Sequence, residues 1–340
     1  MTITAEAAKT IANGEISPVD RLHALVAADM AATDRMIHDR MGSAVALIPD
    51  LAKHLVDSGG KRLRPLLTLA SARACGYSGV HHIKLAAAVE FIHTATLLHD
   101  DVVDASTLRR GKLAANIVWG NKPSILVGDF LFSRAFELMV ETGNIAVLGA
   151  LARASSVIAE GEVMQLKSAN NLATTEEDYL CVVTAKTAAL FAASAESGAA
   201  VTGAPAALVE AFREYAHNLG IAFQLIDDTL DYSGRQAQMG KSVGDDFREA
   251  KVTLPVILAS ARADEEARIF WRRTIETGIQ HEGDLQRAIG YVQDTGAIRE
   301  TRNRARRYAD MACDAIAKIP SPEIRDALMD VAEFCVGRGH

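Results

Sequence analysis

The stretch Leu97-Leu98-His99-Asp100-Asp101-Val102-Val103-Asp104 decides how this chain is read. It sets three carboxylates within five residues, directly after an apolar, alanine-rich run from Leu85 to Leu98. On a helix, Asp100 and Asp104 lie one turn apart on one face. Like charges so placed repel one another unless a cation sits among them. The device recurs, because Asp227, Asp228 and Asp231 repeat the spacing after a second apolar run, Leu219 to Ile226. One such cluster fits a solvated helix end. Two, each behind a buried-looking helix, suggest facing walls of one metal-filled cavity.

The bulk properties narrow the class. A length of 340 residues permits two ordinary domains or one large helical one, and 49% hydrophobic residues are enough for a sizeable core. A net charge of −7 argues against nucleic acid as the main partner. Cys75, Cys181, Cys313 and Cys335 have no paired spacing, which fits a reducing compartment and no zinc site. The first residues lack a basic region followed by an apolar stretch, so no signal peptide is expected. The apolar run from Ala188 to Phe212 is interrupted by Glu196, Gly198, Gly203 and Pro205, so no bilayer span is expected there. A soluble, cytoplasmic protein with at most peripheral membrane contact follows as the expectation.

The pattern is helical almost throughout. Ser17-Pro18 opens a helix toward Met41, and another follows Pro49 up to Gly59-Gly60. Pro65 opens one that closes near Gly76, and His82 to Asp104 carries the first cluster. Helices follow from Pro123 to Gly143 and from Ile145 to Lys167. Thr174-Thr175-Glu176-Glu177 caps one toward Ala195, and Pro205 starts the second aspartate helix, ending near Tyr232. Further starts lie at Thr253-Leu254-Pro255, near Asp284, after Thr295-Gly296 and at Ser321-Pro322-Glu323. No alternating strand is evident. The expected architecture is all-α: one domain over residues 1–340, a large helical bundle around a deep central cavity, with residues 1–16 disordered.

Several stretches could serve an anion. Gly59-Gly60-Lys61-Arg62-Leu63-Arg64-Pro65 puts three cations on a turn before a helix, which suits a diphosphate or a plain solvated loop. Arg109-Arg110-Gly111-Lys112 follows the first cluster; it is either a structural ion-pair network or a grip on phosphate oxygens that metal ions hold from the other side. His93 lies two turns before Asp100, close to the same face. Lys186-Thr187 sits inside an apolar helix, where a lysine is costly unless it snorkels or meets an anion. Gln224 neighbours Asp227, and Gln165 is polar in a mostly apolar helix. Gly240-Lys241-Ser242-Val243-Gly244-Asp245-Asp246, running on to Lys251, reads as a loop that could close over a phosphate. Glu90-x-x-His93 and Glu214-x-x-His217 match di-iron spacing, but that reading leaves both aspartate clusters unexplained.

In order and together, these stretches resemble the trans-polyprenyl diphosphate synthases, over about residues 20 to 336. The likeness includes Gly128-Asp129-Phe130-Leu131, Gly161-Glu162-Val163-x-Gln165 and Phe223-Gln224-Leu225-Ile226-Asp227-Asp228-x-x-Asp231. It is strongest to bacterial octaprenyl and decaprenyl diphosphate synthases, which make quinone side chains. The resemblance implies an isoprenoid synthase fold, usually a homodimer. It implies that Asp100, Asp104 and Asp227 hold magnesium, three ions per site, with Asp101, Asp228 and Asp231 in support, Asp231 counted among the metal ligands. Arg109, Lys186, Thr187, Gln224 and Lys241 would contact an allylic diphosphate such as farnesyl diphosphate. Lys61, Arg64, His93 and Arg110 would hold isopentenyl diphosphate.

Ionisation of the allylic C–O bond, attack by the isopentenyl double bond and proton loss would follow, in an apolar cavity that excludes water. The family's short-chain members tend to carry aromatic residues where Ala95 or Thr96 stands; small residues there imply a long product. Ala95 lies about 7.5 Å before Asp100 along the helix axis. Ala88 shares its face, and Phe91 borders it as a deeper stop or as core packing. Short-chain synthesis, terpene cyclisation and a non-catalytic partner subunit are the rival readings. Two departures from the family pattern stand out: Ala250, where a glycine is common, and Ala105, where an acid is frequent.

Overall fold

The computed structural model describes residues 16–56, 60–109, 111–233 and 244–338. The expected disorder before Ile16, together with Gly59, Arg110 and the Gly240–Val243 part of the second loop that contains Lys241, lies outside the described residues.

Local sequence explains where most helices begin. Ser17 caps α1 (Pro18–Leu25): its hydroxyl oxygen accepts from Asp20 N at 3.2 Å, and Pro18 fills the first turn. The expected run to Met41 is broken at Val26, whose φ of −127° leaves the helical region before α2 (Ala27–Arg40) begins. α3 (Leu47–Val56) and α4 (Leu63–Ala74) start ahead of Pro49 and Pro65, which lie in first turns where no N–H is needed. α5 (His81–Val103) ends in the first cluster. After it comes an element absent from the sequence reading, a hairpin pairing β1 (Leu108–Arg109) with β2 (Lys112–Leu113) in antiparallel register. Strands of two residues are too short for alternation to show.

α6 (Ala115–Trp119), α7 (Asn121–Val140) and α8 (Ile145–Ser168) follow. Thr175 then caps α9 (Glu176–Val183) with a reciprocal capping box to Asp178. The helical path widens into a π turn, Thr184–Ala188, before α10 (Ala189–Ala200). α11 (Ala206–Asp231) carries the second cluster. α12 (Asp245–Arg248), α13 (Leu254–Ala261) and α14 (Glu265–Trp271) precede α15 (Asp284–Asp294), α16 (Ala297–Ile316) and α17 (Pro322–Gly337). The helical stretch Glu176–Ala200 is long and apolar enough to cross a bilayer by composition, yet 61% of its apolar window is buried inside the protein.

The chain forms two compact units. One comprises Met1–Ser155, Leu190–Ala216 and Ala315–Val331. Its centre is α5, buried without interruption from Leu85 to Ile92 and packed on α7, α4 and α2. A helix apolar on every side belongs in a core. Buried Asp29 on α2 binds α4 through Arg73 Nη2 at 2.7 Å and α5 through His82 Nε2 at 3.1 Å. The Arg73 and His82 contacts draw the Asp29 carboxyl below its usual range against the effect of burial, while burial lowers His82. α10 lies so close to α4 that a Cβ at Gly198 would stand 2.1 Å from Thr68 O.

The other unit comprises Ser156–Ala189, His217–Asp314 and Ala332–His340. Its core stacks Phe247 of α12 on Phe270 of α14, with Trp271 and Tyr291 against the same ring. α13 packs on α9, α14 and α15.

The two departures, Ala105 and Ala250, share a geometry. Each has φ +50°, in the left-handed region that favours glycine. Each sits just past a helix whose end is closed by paired back-bonds. Ser106 N donates to Asp101 O at 3.0 Å and Ala105 N to Val102 O at 3.4 Å; Lys251 N donates to Asp246 O at 2.9 Å and Ala250 N to Phe247 O at 3.0 Å. This is the Schellman closure, with alanine where glycine usually sits. Glycine at either position would remove a steric cost of roughly 1–2 kcal/mol and add about 0.4–1 kcal/mol of chain entropy. Ala105→Gly and Ala250→Gly should each unfold at a higher urea midpoint, gaining about 0.5–1 kcal/mol; a lowered midpoint would count against the strain.

Candidate active site

In the first unit, α5 delivers its three aspartates in two directions. Asp100 and Asp104, four residues apart, are half-buried at the helix end, while Asp101, about 100° round the helix, is completely buried. Burial pushes the Asp101 carboxyl up; Arg109 of β1 opposes this, its Nε donating to Asp101 Oδ1 at 2.9 Å. The second oxygen, Oδ2, is buried with no hydrogen-bond partner among the described residues. Asn116 of α6 donates from Nδ2 to Asp101 O at 2.9 Å and to Ser106 O at 3.1 Å, tying the exit loop to the cluster.

The neighbouring features have physical reasons. Gly128 of α7 lies where a Cβ would stand 2.3 Å from His99 Nε2, so that glycine lets α7 run against the cluster-bearing turn. Of the three cations after Gly60, Arg62 is committed to an ion pair with Asp34 of α2. Lys61 is exposed, and the half-buried Arg64 guanidinium stands 4.5 Å from the Phe191 ring centroid. His93 is half-buried on α5 and accepts, through its backbone oxygen, the Thr96 hydroxyl at 2.8 Å. Ala95, Phe91 and Ala88 are completely buried.

In the second unit, the π turn carries Lys186 and Thr187. Wide turns of this kind are frequent at functional sites. A Cβ at Gly161 of α8 would stand 2.8 Å from Ala185 Cβ and 3.0 Å from Lys186 N, so only glycine lets α8 lie flat on the turn. The next residue, Glu162, meets Lys186 Nζ at 2.8 Å. Two of the singled-out motifs therefore form one structure. Gln165, in the same helix, is half-buried.

A polar chain runs on from the turn. Thr187 Oγ1 donates to Gln224 Oε1 at 2.9 Å, and Gln224 Nε2 donates to Asp228 Oδ1 at 2.7 Å. The Tyr179 hydroxyl of α9 donates to Asp228 Oδ2. Burial pushes the Asp228 carboxyl up to about 7, and these two donors oppose the rise. Asp227 is half-buried. Asp231 is buried, and its carboxylate accepts from Gly244 N at 3.1 Å, Asp245 N at 3.2 Å and Asp246 N at 3.0 Å, capping α12. The identical spacings thus produce unlike clusters. In the second, Asp231 is met by backbone N–H groups and Asp228 by a tyrosine and an amide, whereas Asp101 of the first is met by an arginine.

Glu162, Asn116 and Tyr179 take part in these networks without having been expected to. Tyr179 meets Asp228 across 49 positions of sequence, a contact no local pattern announces. Among the described residues, no three His, Cys, Asp or Glu side chains close into a cation cage. The oxygen-only donors at Asp100, Asp104 and Asp227 suit a hard divalent ion. Magnesium is commonly held by one or two carboxylates, with water and substrate phosphates completing its shell.

Known proteins share this sequence and fold. The polyprenyl synthetase family pattern matches residues 45–292. Octaprenyl diphosphate synthase of Escherichia coli (strain K12) is 42% identical over 320 residues, covering 94% of this chain and 99% of that protein. A crystal structure of a polyprenyl synthase from Caulobacter crescentus CB15, complexed with calcium and isoprenyl diphosphate, is 55% identical with a TM-score of 0.92, covering 95% of this chain and 98% of that one. A decaprenyl diphosphate synthase from Rhodobacter capsulatus is 54% identical with a TM-score of 0.91, covering 95% and 99%. With the two aspartate-bearing helix ends, the π turn and these likenesses in place, the chain is a member of the polyprenyl synthetase family.

Proposed function

We propose that this chain is an all-trans long-chain polyprenyl diphosphate synthase, acting as one catalytic domain. It adds isopentenyl diphosphate units to an allylic primer such as farnesyl diphosphate, making an octaprenyl or decaprenyl chain for a quinone. The observation that carries the reading is the pair of aspartate-bearing helix ends, each tied to a motif that could grip a phosphate: Asp101, between Asp100 and Asp104, meets Arg109, and Asp228, next to Asp227, is linked through Gln224 to Thr187 beside Lys186 in sequence.

Asp100, Asp104 and Asp227 would hold magnesium ions, three in all, which when bound supply the positive charge that draws electrons onto the departing diphosphate. Lys186, Thr187 and Gln224 orient the allylic diphosphate from the π turn and α11, with Arg109 and Lys241 as further contacts. Lys61, Arg64, His93 and Arg110 hold the isopentenyl diphosphate. Asp101 and Asp228 keep the half-buried carboxylates and their neighbours in place from beneath. The apolar faces of the core exclude water from a reactive cation.

A homodimer is part of the proposal. Leu113, Ile117, Val118, Ile125 and Leu126 expose an apolar surface across β2, α6 and α7, of the kind a second copy covers. Cytoplasmic location is proposed on the four cysteines, none of which is in a disulfide among the described residues.

Incubated with farnesyl diphosphate, isopentenyl diphosphate and magnesium, the protein should yield octaprenyl to decaprenyl products by mass spectrometry, and chelation should stop the reaction. Products ending at geranylgeranyl diphosphate would overturn the long-chain reading. Asp100→Ala and Asp227→Ala should each lower turnover by roughly a hundredfold or more.

Ala95→Phe should shorten the product, because it places a ring on the face that follows Asp100 back along α5. Since Ala95 is completely buried, the same change should cost about 1–3 kcal/mol of stability. An unchanged product distribution from the folded variant would show that the chain does not grow along this face.

A further inference from the structure

The geometry points to Tyr179 as a positioning residue for allylic diphosphate binding, acting through Asp228, Gln224 and Thr187. The inference rests on the reading of Lys186, Thr187 and Gln224 as the allylic side of the site.

Tyr179 stands in a helix whose start is fixed by the Thr175–Asp178 capping box, and it is 6% exposed. Its hydroxyl donates to Asp228 Oδ2, and Gln224 Nε2 donates to Oδ1, so each carboxylate oxygen has its own donor. Burial beside acidic groups pushes the Tyr179 hydroxyl well above its ordinary range, so it stays a donor.

The order of donors along the chain follows from the ionised form of Asp228. An ionised carboxylate only accepts, so Gln224 turns its NH₂ toward Asp228 and its carbonyl oxygen toward Thr187. Thr187 has a single hydroxyl proton and gives it to that oxygen. Rotating the amide by half a turn would set its oxygen against the Asp228 carboxylate. The amide orientation of Gln224 and the hydroxyl orientation of Thr187 are therefore set at Asp228. Tyr179 in turn decides which way the Asp228 carboxylate faces. Without its hydroxyl, the carboxylate loses one of two donors in a place where water cannot replace it, and it is free to turn. The change then passes along the chain to Gln224 and to Thr187, the residue after Lys186.

Tyr179→Phe removes one oxygen and keeps the ring that packs there. It should raise KM for the allylic diphosphate about tenfold while leaving KM for isopentenyl diphosphate within about twofold. By titration calorimetry with magnesium, the affinity for an unreactive allylic thiolodiphosphate should fall by the same factor, with the urea midpoint little changed. Asp228→Asn breaks the chain one step later and should give the same split. In the Asp228→Asn background, Tyr179→Phe should add less than about twofold to the loss, because the two act as a unit.

Equal changes in both KM values, unchanged analogue affinity or full additivity in the double variant would overturn the inference. Lys186→Ala separates this from the underlying reading. If that variant weakens the analogue and Tyr179→Phe does not, Tyr179 is merely structural. If neither does, the allylic assignment itself falls.

Discussion

A carboxylate taken out of water must be given donors, and this requirement shapes both aspartate clusters. Asp101 and Asp228 are the second residues of their clusters, about 100° round the helix from the first, and both are buried. Each is an anion that costs free energy unless charge or hydrogen bonds compensate it. Asp101 takes Arg109 from a hairpin that begins four residues after the helix-ending Asp104. Asp228 takes Tyr179 from another helix and Gln224 from the previous turn of its own. The partners differ because the surroundings differ, but the result is the same. The helix cannot rotate without stranding a buried charge, so its neighbouring aspartates are held at fixed angles. The acidic residue most hidden from a ligand is the one that sets the direction of the others.

Close backbone approach is the second constraint, and it explains why short glycine-bearing motifs accompany the aspartates. Gly161 lets α8 touch the π turn, and Glu162 then reaches Lys186. A lysine in an apolar helix needs such a partner. The wide turn also changes the angular spacing along the helix, so Lys186 and Thr187 fall where a regular α-helix would not put them. Gly128 plays the corresponding part beside His99. These glycines are demanded by packing rather than by backbone dihedral, since both lie inside helices.

Much of this was legible in the chain itself. The helices of the core, the two clusters and the cationic stretches follow from periodicity, capping residues and charge spacing. The break at Val26 was not, because nothing in the local pattern marks it. Nor were the hairpin and the four-residue α12, which are shorter than the windows in which periodicity is readable. The roles of Arg62, Asp231 and Tyr179 were hidden for a different reason. Each is decided by a partner distant in sequence: Asp34, the backbone of residues 244–246, and Asp228. Spacing made Asp231 look equivalent to Asp104, yet it caps a helix while Asp104 closes one. A motif fixes which side chains share a face, and the tertiary fold decides what each of them meets.

The two left-handed alanines bring these constraints together. A Schellman closure makes the chain leave its helix sharply, and at Ala105 the departing strand is fastened to the same Asp101 that anchors the cluster. The Asp101 backbone oxygen accepts from Ser106 N and from Asn116 Nδ2, while its side chain takes Arg109. Bonds from three residues to one can hold an unfavourable φ in place, since giving it up would break them in turn. Ala250 is held by the corresponding pair of back-bonds, with Phe247 locked in the aromatic core beneath. In both places the unfavourable residue borders a candidate ligand segment and the restraint comes from well-packed structure behind it. Strain of this kind persists only where the surrounding packing over-determines the backbone, and here the buried aspartate and the buried phenylalanine do so.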